Sequence, residues 1–291
     1  MAYDPVSKRL FIAALGNGSL EVVDVEKGER IKSVGGLKEP QGVVYVPASK
    51  QVVVASGGDG TVRAFDAVTL EEVKKVTIGD DADNIRLDAE RGELVVGYGD
   101  GGLAFLDPKT LETKGTVKLA GHPESFQIEP GTGRVFVNIP GGAVGGGGGV
   151  AVVDGPKRTV TTTWDLKVAG RNFPMALDTA NKRLYVGCRR AAKLLVIDTT
   201  SGEVVASPDC VGDADDIFVD SKTGRLLVTG GDGPLNVFAT NDLRTYSSVA
   251  TLTTAPGART ALFVPESRTL FVAAPKRDGK DARILVYTIP D

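Results

Sequence analysis

Polar loops recur in this chain at a nearly constant interval, and each is followed by a short strand-like run. The runs are QGVVYVP from Gln41, NIRLDA from Asn84, SFQIEP from Ser125, PMALDT from Pro174, DIFVDS from Asp216 and TALFVP from Thr260, while MAYDPV at Met1 begins a seventh copy. A period of roughly 42 residues holding four short strands is the spacing of β-propeller blades. The second copy shows the internal order: GVVYVP, QVVVAS, TVRAFD and EEVKKVTI, separated by turns of Gly, Asp, Lys and Ser. No stretch keeps a helical period. The expected fold is therefore all-β, a seven-bladed propeller of four-stranded antiparallel blades, with 1–291 as one domain. The seventh copy supplies only TALFVP, TLFVAAP and ARILVYTI. Its blade is expected to have three strands, and the outer edge of 283–289 to be unpaired and open to self-association.

Composition removes several function classes. The 34 Lys and Arg against 37 Asp and Glu leave a net charge of −3, which does not suit nucleic acid or an anionic membrane surface as the main partner. No apolar run reaches transmembrane length and no leader pattern opens the chain, so membrane insertion is not expected and the chain as given reads as cytoplasmic. Two cysteines make neither a disulfide framework nor a metal quartet. Cys188 is read at the end of the fifth blade's second strand and Cys210 at the end of its fourth. That puts them two strand spacings apart, about 9–10 Å, as free thiols.

The loops between blades carry the polar chemistry. In a propeller the loops from the last strand of one blade to the first strand of the next share the mouth of the central channel, where ligands usually bind. The loops here are KEPQG (38–42), DDADN (80–84), GHPES (121–125), GRNFP (170–174), GDADD (212–216) and GARTA (257–261). Crowded carboxylates repel unless a cation or an arginine sits among them. Oxygen donors of Asp, Asn and Ser suit hard cations, so Asp83, Asn84, Ser125, Asp215 and Asp216 are read as a site for Ca²⁺ or Mg²⁺. The only histidine, His122, lies beside Glu124; with Asp216 these are the candidate catalytic groups, His122 as a general base to activate water. Arg171, Arg189, Arg259 and Phe173 are the candidate substrate contacts, the arginines for anionic or phosphoryl oxygen. The competing reading gives each Asp and Asn a turn to cap. PGGAVGGGGG (140–149) lengthens the fourth copy and reads either as a lid over the same face or as an insertion without a role.

Other apparent motifs fail on context. GYGDGG (97–102) is followed by a strand where a dinucleotide site needs a helix, GDADD lacks the EF-hand ladder, and there is no G-x-S-x-G elbow.

PQGVVYVP, DNIRLDAERGELVVGYGDG, GHPESFQIE, NFPMALD, GRLLVTGGDG and GARTALFVPESRTLFVA together resemble the bacterial YVTN-repeat propellers, the YncE-like group. The resemblance covers nearly the whole chain. It implies a seven-bladed propeller and a periplasmic or otherwise exported parent. By analogy of fold, Asn84 and Asp216 also resemble in kind the Ca²⁺ ligands of gluconolactonase- and paraoxonase-type propellers, whereas Gly42 and Pro174 stand at positions that supply no side-chain ligand. The expected function is thus metal-dependent hydrolysis of small esters, lactones or phosphotriesters. The alternative is a non-catalytic propeller that binds a peptide, metabolite or protein at the same loops.

Overall fold

The computed structural model describes residues 1–141 and 148–291. They form seven antiparallel sheets, each with its strands in chain order. The first sheet runs Ala2–Asp4, Arg9–Ala14, Ser19–Asp24, Glu29–Gly35, and the second Pro40–Val46, Gln51–Ser56, Thr61–Asp66, Glu72–Thr77. The third runs Ile85–Asp88, Glu93–Tyr98, Gly102–Leu106, Thr113–Lys118, and the fourth Phe126–Ile128, Arg134–Ile139, Gly149–Asp154, Thr159–Asp165. The fifth runs Gly170–Asp178, Arg183–Arg190, Ala192–Asp198, Val204–Ala206, and the sixth Ala214–Asp220, Arg225–Gly230, Pro234–Ala239, Ser247–Thr253. The seventh has three strands, Ala261–Val264, Thr269–Ala274 and Arg283–Thr288. Helix among the described residues is limited to the single turns Leu15–Asn17 and Gly57–Asp59, and no helix is long and apolar enough to cross a membrane.

Burial follows strand position. Second strands read as continuous apolar runs because both faces are covered: every residue of Gln51–Ser56 is buried, whereas every residue of the fourth strand Ser247–Thr253 is exposed. Successive sheets pack through these runs, as where Val53, Ala55 and Val62 meet Ile85, Leu94 and Val96. Sheets five and six meet likewise through Tyr185, Leu194, Val228 and Phe238. The chain divides into two compact units. One comprises Met1–Glu124, Pro130–Phe136 and Ala151–Thr162, the other Ser125–Glu129, Val137–Val150 and Thr163–Asp291.

Much of the aspartate content is spent on turns. Asp66 Oδ1 accepts the N–H groups of Val68 and Thr69, both at 2.8 Å. Asp107 Oδ1 accepts those of Lys109 and Thr110, both at 2.9 Å, and Asp198 Oδ1 those of Thr200 and Ser201. Each of these residues closes or follows a third strand. The backbone donor of Thr110 is the main reason Asp107 sits low, at about 2. These acids favour the turn-capping reading for their own positions.

One expectation changes. Cys210 does not end a strand: the fourth strand of sheet five stops at Ala206, and the Cys210 N–H donates to Ala192 O at 3.1 Å from the loop beyond. Its thiol is free, as is that of Cys188. Burial pushes both thiols up to about 12, and the nearby Cys210 contributes to the shift at Cys188, so neither is a thiolate near neutral pH. The glycine-rich lid expected at 140–149 falls largely on 142–147, outside the described residues; Gly149 opens the third strand of sheet four.

Candidate functional site

The backbone of the interblade loops repeats before their side chains do. Glu39, Asp81, Arg171 and Asp213 occupy the same place in four loops and all have left-handed φ, between 48° and 54°. Their carbonyls lie opposite the glycine that follows the second strand or its last residues, as in Gly57 N–H to Glu39 O at 3.0 Å and Gly231 N–H to Asp213 O at 2.9 Å. Aspartate accepts this conformation better than most side chains. Asp81 and Asp213 are therefore turn residues. The first strand then shifts register, between Pro40 and Val43, Asn172 and Met175, and Ala214 and Asp216. A bulge of this kind places two residues against one and re-aims their side chains.

In the first unit Asp83, His122 and Glu124 come together. A ring nitrogen of His122 and one carboxylate oxygen from each acid lie within 4.8 Å of one another. His122 Nδ1 is 2.7 Å from Gly99 O; because a carbonyl only accepts, Nδ1 carries the hydrogen and donates it. In the neutral ring this leaves the Nε2 lone pair available, 4.0 Å from Glu124 Oε1. Nδ1 also lies 3.6 Å from Asp81 Oδ2, and the Gln41 amide donates to Asp81 Oδ1 at 3.4 Å. Asp83 is only 9% exposed. Burial pushes its carboxyl up to about 6; His122 and the Asn84 side chain oppose the shift and Asp81 adds to it. The main chain pins both loop residues, with Asp83 N–H donating to Gly97 O and Gly97 N–H to Asn84 O, each at 2.9 Å.

The second unit arranges similar residues differently. Arg189 Nη2 donates to Asp215 Oδ1 at 2.7 Å, and its Nε lies 3.1 Å from Asp213 Oδ1 and donates to Ala214 O at 3.0 Å. Arg259 Nη1 donates to Asp213 Oδ2 at 3.0 Å, with its Nε 3.7 Å from Asp215 Oδ2. These acids, Asp215 foremost, raise the Arg259 guanidinium above its usual range. The Arg189 guanidinium lies over the Phe173 ring, 4.0 Å from its centroid. Asp216 Oδ2 accepts the Ala261 N–H at 2.7 Å. Two arginines thus neutralise Asp213 and Asp215 of the knot GDADD.

Of the residues expected to ligate a cation, Asp83 and Asn84 lie in the first unit and Ser125, Asp215 and Asp216 in the second. Ser125 lends its carbonyl to Asn138 N–H at 3.0 Å. The group that comes together is instead Asp83 with His122 and Glu124, two of the three residues expected to do catalysis; the third, Asp216, is not part of it and accepts the Ala261 N–H. Arg189, Arg259 and Phe173, expected to bind substrate, are engaged with Asp213, Asp215 and one another, and Arg171 is an exposed residue of left-handed φ near the start of the strand Gly170–Asp178. Gly99 O, which orients the histidine, is not among the residues expected from sequence. Its signal is present in GYGDGG, where Gly99 directly follows the second strand Glu93–Tyr98.

Two solved structures align over nearly the full chain. One is hydrazine synthase from Kuenenia stuttgartiensis, with a TM-score of 0.83 at 14% identity, covering 99% of this chain and 94% of that one. The other belongs to a mitotic checkpoint complex, with a TM-score of 0.83 at 12% identity, covering 100% of this chain and 86% of that one. The fold is a seven-bladed β-propeller. Its blades are four-stranded and antiparallel, with three strands in the last. At these identities the likeness shows the propeller fold alone, a fold that hosts many functions. No protein-family model matches the chain. No curated protein sequence matches it either.

Proposed function

We propose that Asp83, His122 and Glu124 bind one divalent cation and that this propeller uses it to hydrolyse a small ester, lactone or phosphotriester. The observation that carries this reading is the meeting of three different ligand groups within 4.8 Å, one of them a buried carboxylate. The donor set fits a cation. An imidazole nitrogen beside two carboxylate oxygens widens the choice from Ca²⁺ and Mg²⁺ to ions that accept both donor types, Mn²⁺ first and Zn²⁺ next. A bound cation would supply Lewis-acid polarisation of the substrate's carbonyl or phosphoryl oxygen.

The chain's own residues have separate tasks. Gly99 O fixes the His122 tautomer and ring plane, the role that a backbone carbonyl commonly plays behind a metal-bound histidine. Asp83, with its carboxyl raised to about 6, must give up its proton to ligate, so occupancy falls as the solution is acidified through that value. Because His122 contributes its free Nε2 to the ligand set, it is not available as the general base expected from the sequence. That point favours the second reading: a propeller that captures a cation together with a metabolite or peptide and does not turn it over. YVTN-repeat kinship, which rests on phrases such as PQGVVYVP and NFPMALD, is compatible with both readings, and it also carries the proposal of an exported parent protein.

The test is a panel of a lactone, an aryl ester and a phosphotriester, assayed with EDTA and with Mn²⁺, Ca²⁺ or Zn²⁺ restored. Hydrolysis of at least one substrate that is lost to chelation, regained with Mn²⁺ and absent in Glu124→Gln is expected. A flat panel despite saturable ion binding would replace hydrolysis with capture.

A further inference from the structure

The first two sheets carry the same turn with its charges reversed. Leu15–Asn17 and Gly57–Asp59 are each a single helical turn between second and third strands, and each is closed by a left-handed glycine, Gly18 with φ 61° and Gly60 with φ 62°. Asn17 therefore stands where Asp59 stands, and Glu21 where Arg63 stands. In the second sheet the turn residue accepts. Thr61 Oγ1 donates to Asp59 Oδ1 at 2.6 Å and Arg63 Nη2 to Asp59 Oδ2 at 3.3 Å. In the first sheet the strand residue accepts. Glu21, only 8% exposed, takes hydrogen bonds from Ser19 Oγ at 2.5 Å, Ser33 Oγ at 2.8 Å and Arg30 Nη1 at 3.3 Å. The Asn17 side chain bonds it as well, and because a carboxylate only accepts, the amide donates. The first turn thus uses Asn17 as an amide.

Asn17 is also the chain's only asparagine followed by glycine; every other one precedes a residue with a side chain. Glycine places no Cβ beside its own nitrogen. The Gly18 nitrogen is therefore open to approach by the Asn17 side-chain carbon. Little holds the turn against that approach. Leu15, Gly16 and Asn17 are all exposed, no side chain caps the turn, and Gly18 N–H reaches Leu15 O at a long 3.2 Å.

We infer that Asn17 is a site of spontaneous deamidation, and that its conversion to aspartate unseats Glu21 and loosens the hairpin of Arg9–Ala14 and Ser19–Asp24. The Gly18 nitrogen gives up its proton and bonds to Asn17 Cγ; the Cγ–Nδ2 bond breaks, and ammonia leaves with that proton. Water then opens the cyclic imide, adding its hydroxyl to either carbonyl carbon and its hydrogen to the nitrogen. The products are aspartate and its β-linked isomer, with nothing oxidised or reduced. At neutral pH the new carboxylate faces Glu21, whereas in the second sheet Asp59 faces Arg63. Like charges at this range repel, and the isomer also lengthens the main chain within a tight turn. The site is separate from Asp83, His122 and Glu124.

The Met1–Asp291 chain, warmed at pH 8 and mapped by peptide mass spectrometry, is expected to gain aspartate and β-linked aspartate at position 17 before any other asparagine converts. Earlier conversion elsewhere would overturn the inference. So would an intact Asn17 at the time when the same chain in urea has converted there completely. Asn17→Asp is expected to lower the melting temperature by about 2–4 °C at pH 8. The loss should be smaller in a Glu21→Gln background, where no like charge faces the new acid. An Asn17→Asp chain as stable as wild type, or one that loses as much beside Glu21→Gln, would overturn the link to Glu21. If Glu21→Gln fails to fold, Asn17→Ala decides. It removes the same donor without adding charge and should melt above Asn17→Asp; equal melting overturns the link.

Discussion

Asp83→Asn is expected to raise the melting temperature of the cation-free protein at pH 8 by about 5 °C and to leave it nearly unchanged at pH 4. The cause is a carboxyl whose pKa rises from 3.8 to about 6 on folding, mainly through burial. A folded-state value above the unfolded one means that the stability contribution is present below pH 3.8 and is lost as pH climbs through 6. A rise of that size is worth on the order of 3 kcal/mol, which for a chain of this size is about 5 °C. Asparagine resembles the protonated acid and escapes the loss. Saturating Mn²⁺ should reverse the order, since wild type then gains binding free energy that the variant lacks. Differential scanning calorimetry at the two pH values, with EDTA and then with Mn²⁺, reads both effects. A cation-free variant that melts below wild type at pH 8 would show that Asp83 is ionised and paired there.

Gly42→Ala is expected to cost about 1–3 kcal/mol and to weaken cation binding at the same time. A Cβ at this position would run into the carbonyl oxygen of Asp83 and come within 3.0 Å of the Ile85 main-chain nitrogen and Cγ2. Backbone cannot rotate away as a side chain can, so the first strand of the third sheet must shift and carry Asp83 with it. Gly42 stands in its loop where Asn84 and Asp216 stand in theirs. The second blade thus gives up a side chain so that the next can approach. Gly16→Ala is the control, because nothing lies within 4 Å of its added Cβ. Chemical denaturation of both variants compares the costs. Equal stability in the two would show that close approach at Gly42 does not hold Asp83 in place.

The fold is legible in the letters because its signal is a period. Seven first strands, their spacing and the missing fourth strand of the last sheet can all be counted there, and each corresponds to a sheet. The site is only partly legible. Composition marks GDDADN and GDADD as equivalents, but it does not separate Asp81 and Asp213, which serve a left-handed turn, from Asp83, which is buried. Nor does it show that Arg189 reaches from a neighbouring strand to neutralise Asp213 and Asp215, while Asp83 has His122 beside it and only a weaker pull from Arg86. Those differences arise from side chains that meet across blades. His122 stands out in the sequence as the only histidine, yet its role depends on which nitrogen Gly99 O engages, and that is set by the loop conformation.

Calorimetric titration of Mn²⁺ into the protein at pH 6, repeated in buffers of different ionisation enthalpy, tests the cation site most directly. One site per chain is predicted, with proton release that diminishes as the titration is moved above the Asp83 value of about 6. Affinity should fall by at least about tenfold in Asp83→Asn, His122→Ala and Glu124→Gln alike, and remain unchanged in Asp216→Asn. No saturable binding, or binding that survives in all three variants, would contradict a cation held by Asp83, His122 and Glu124.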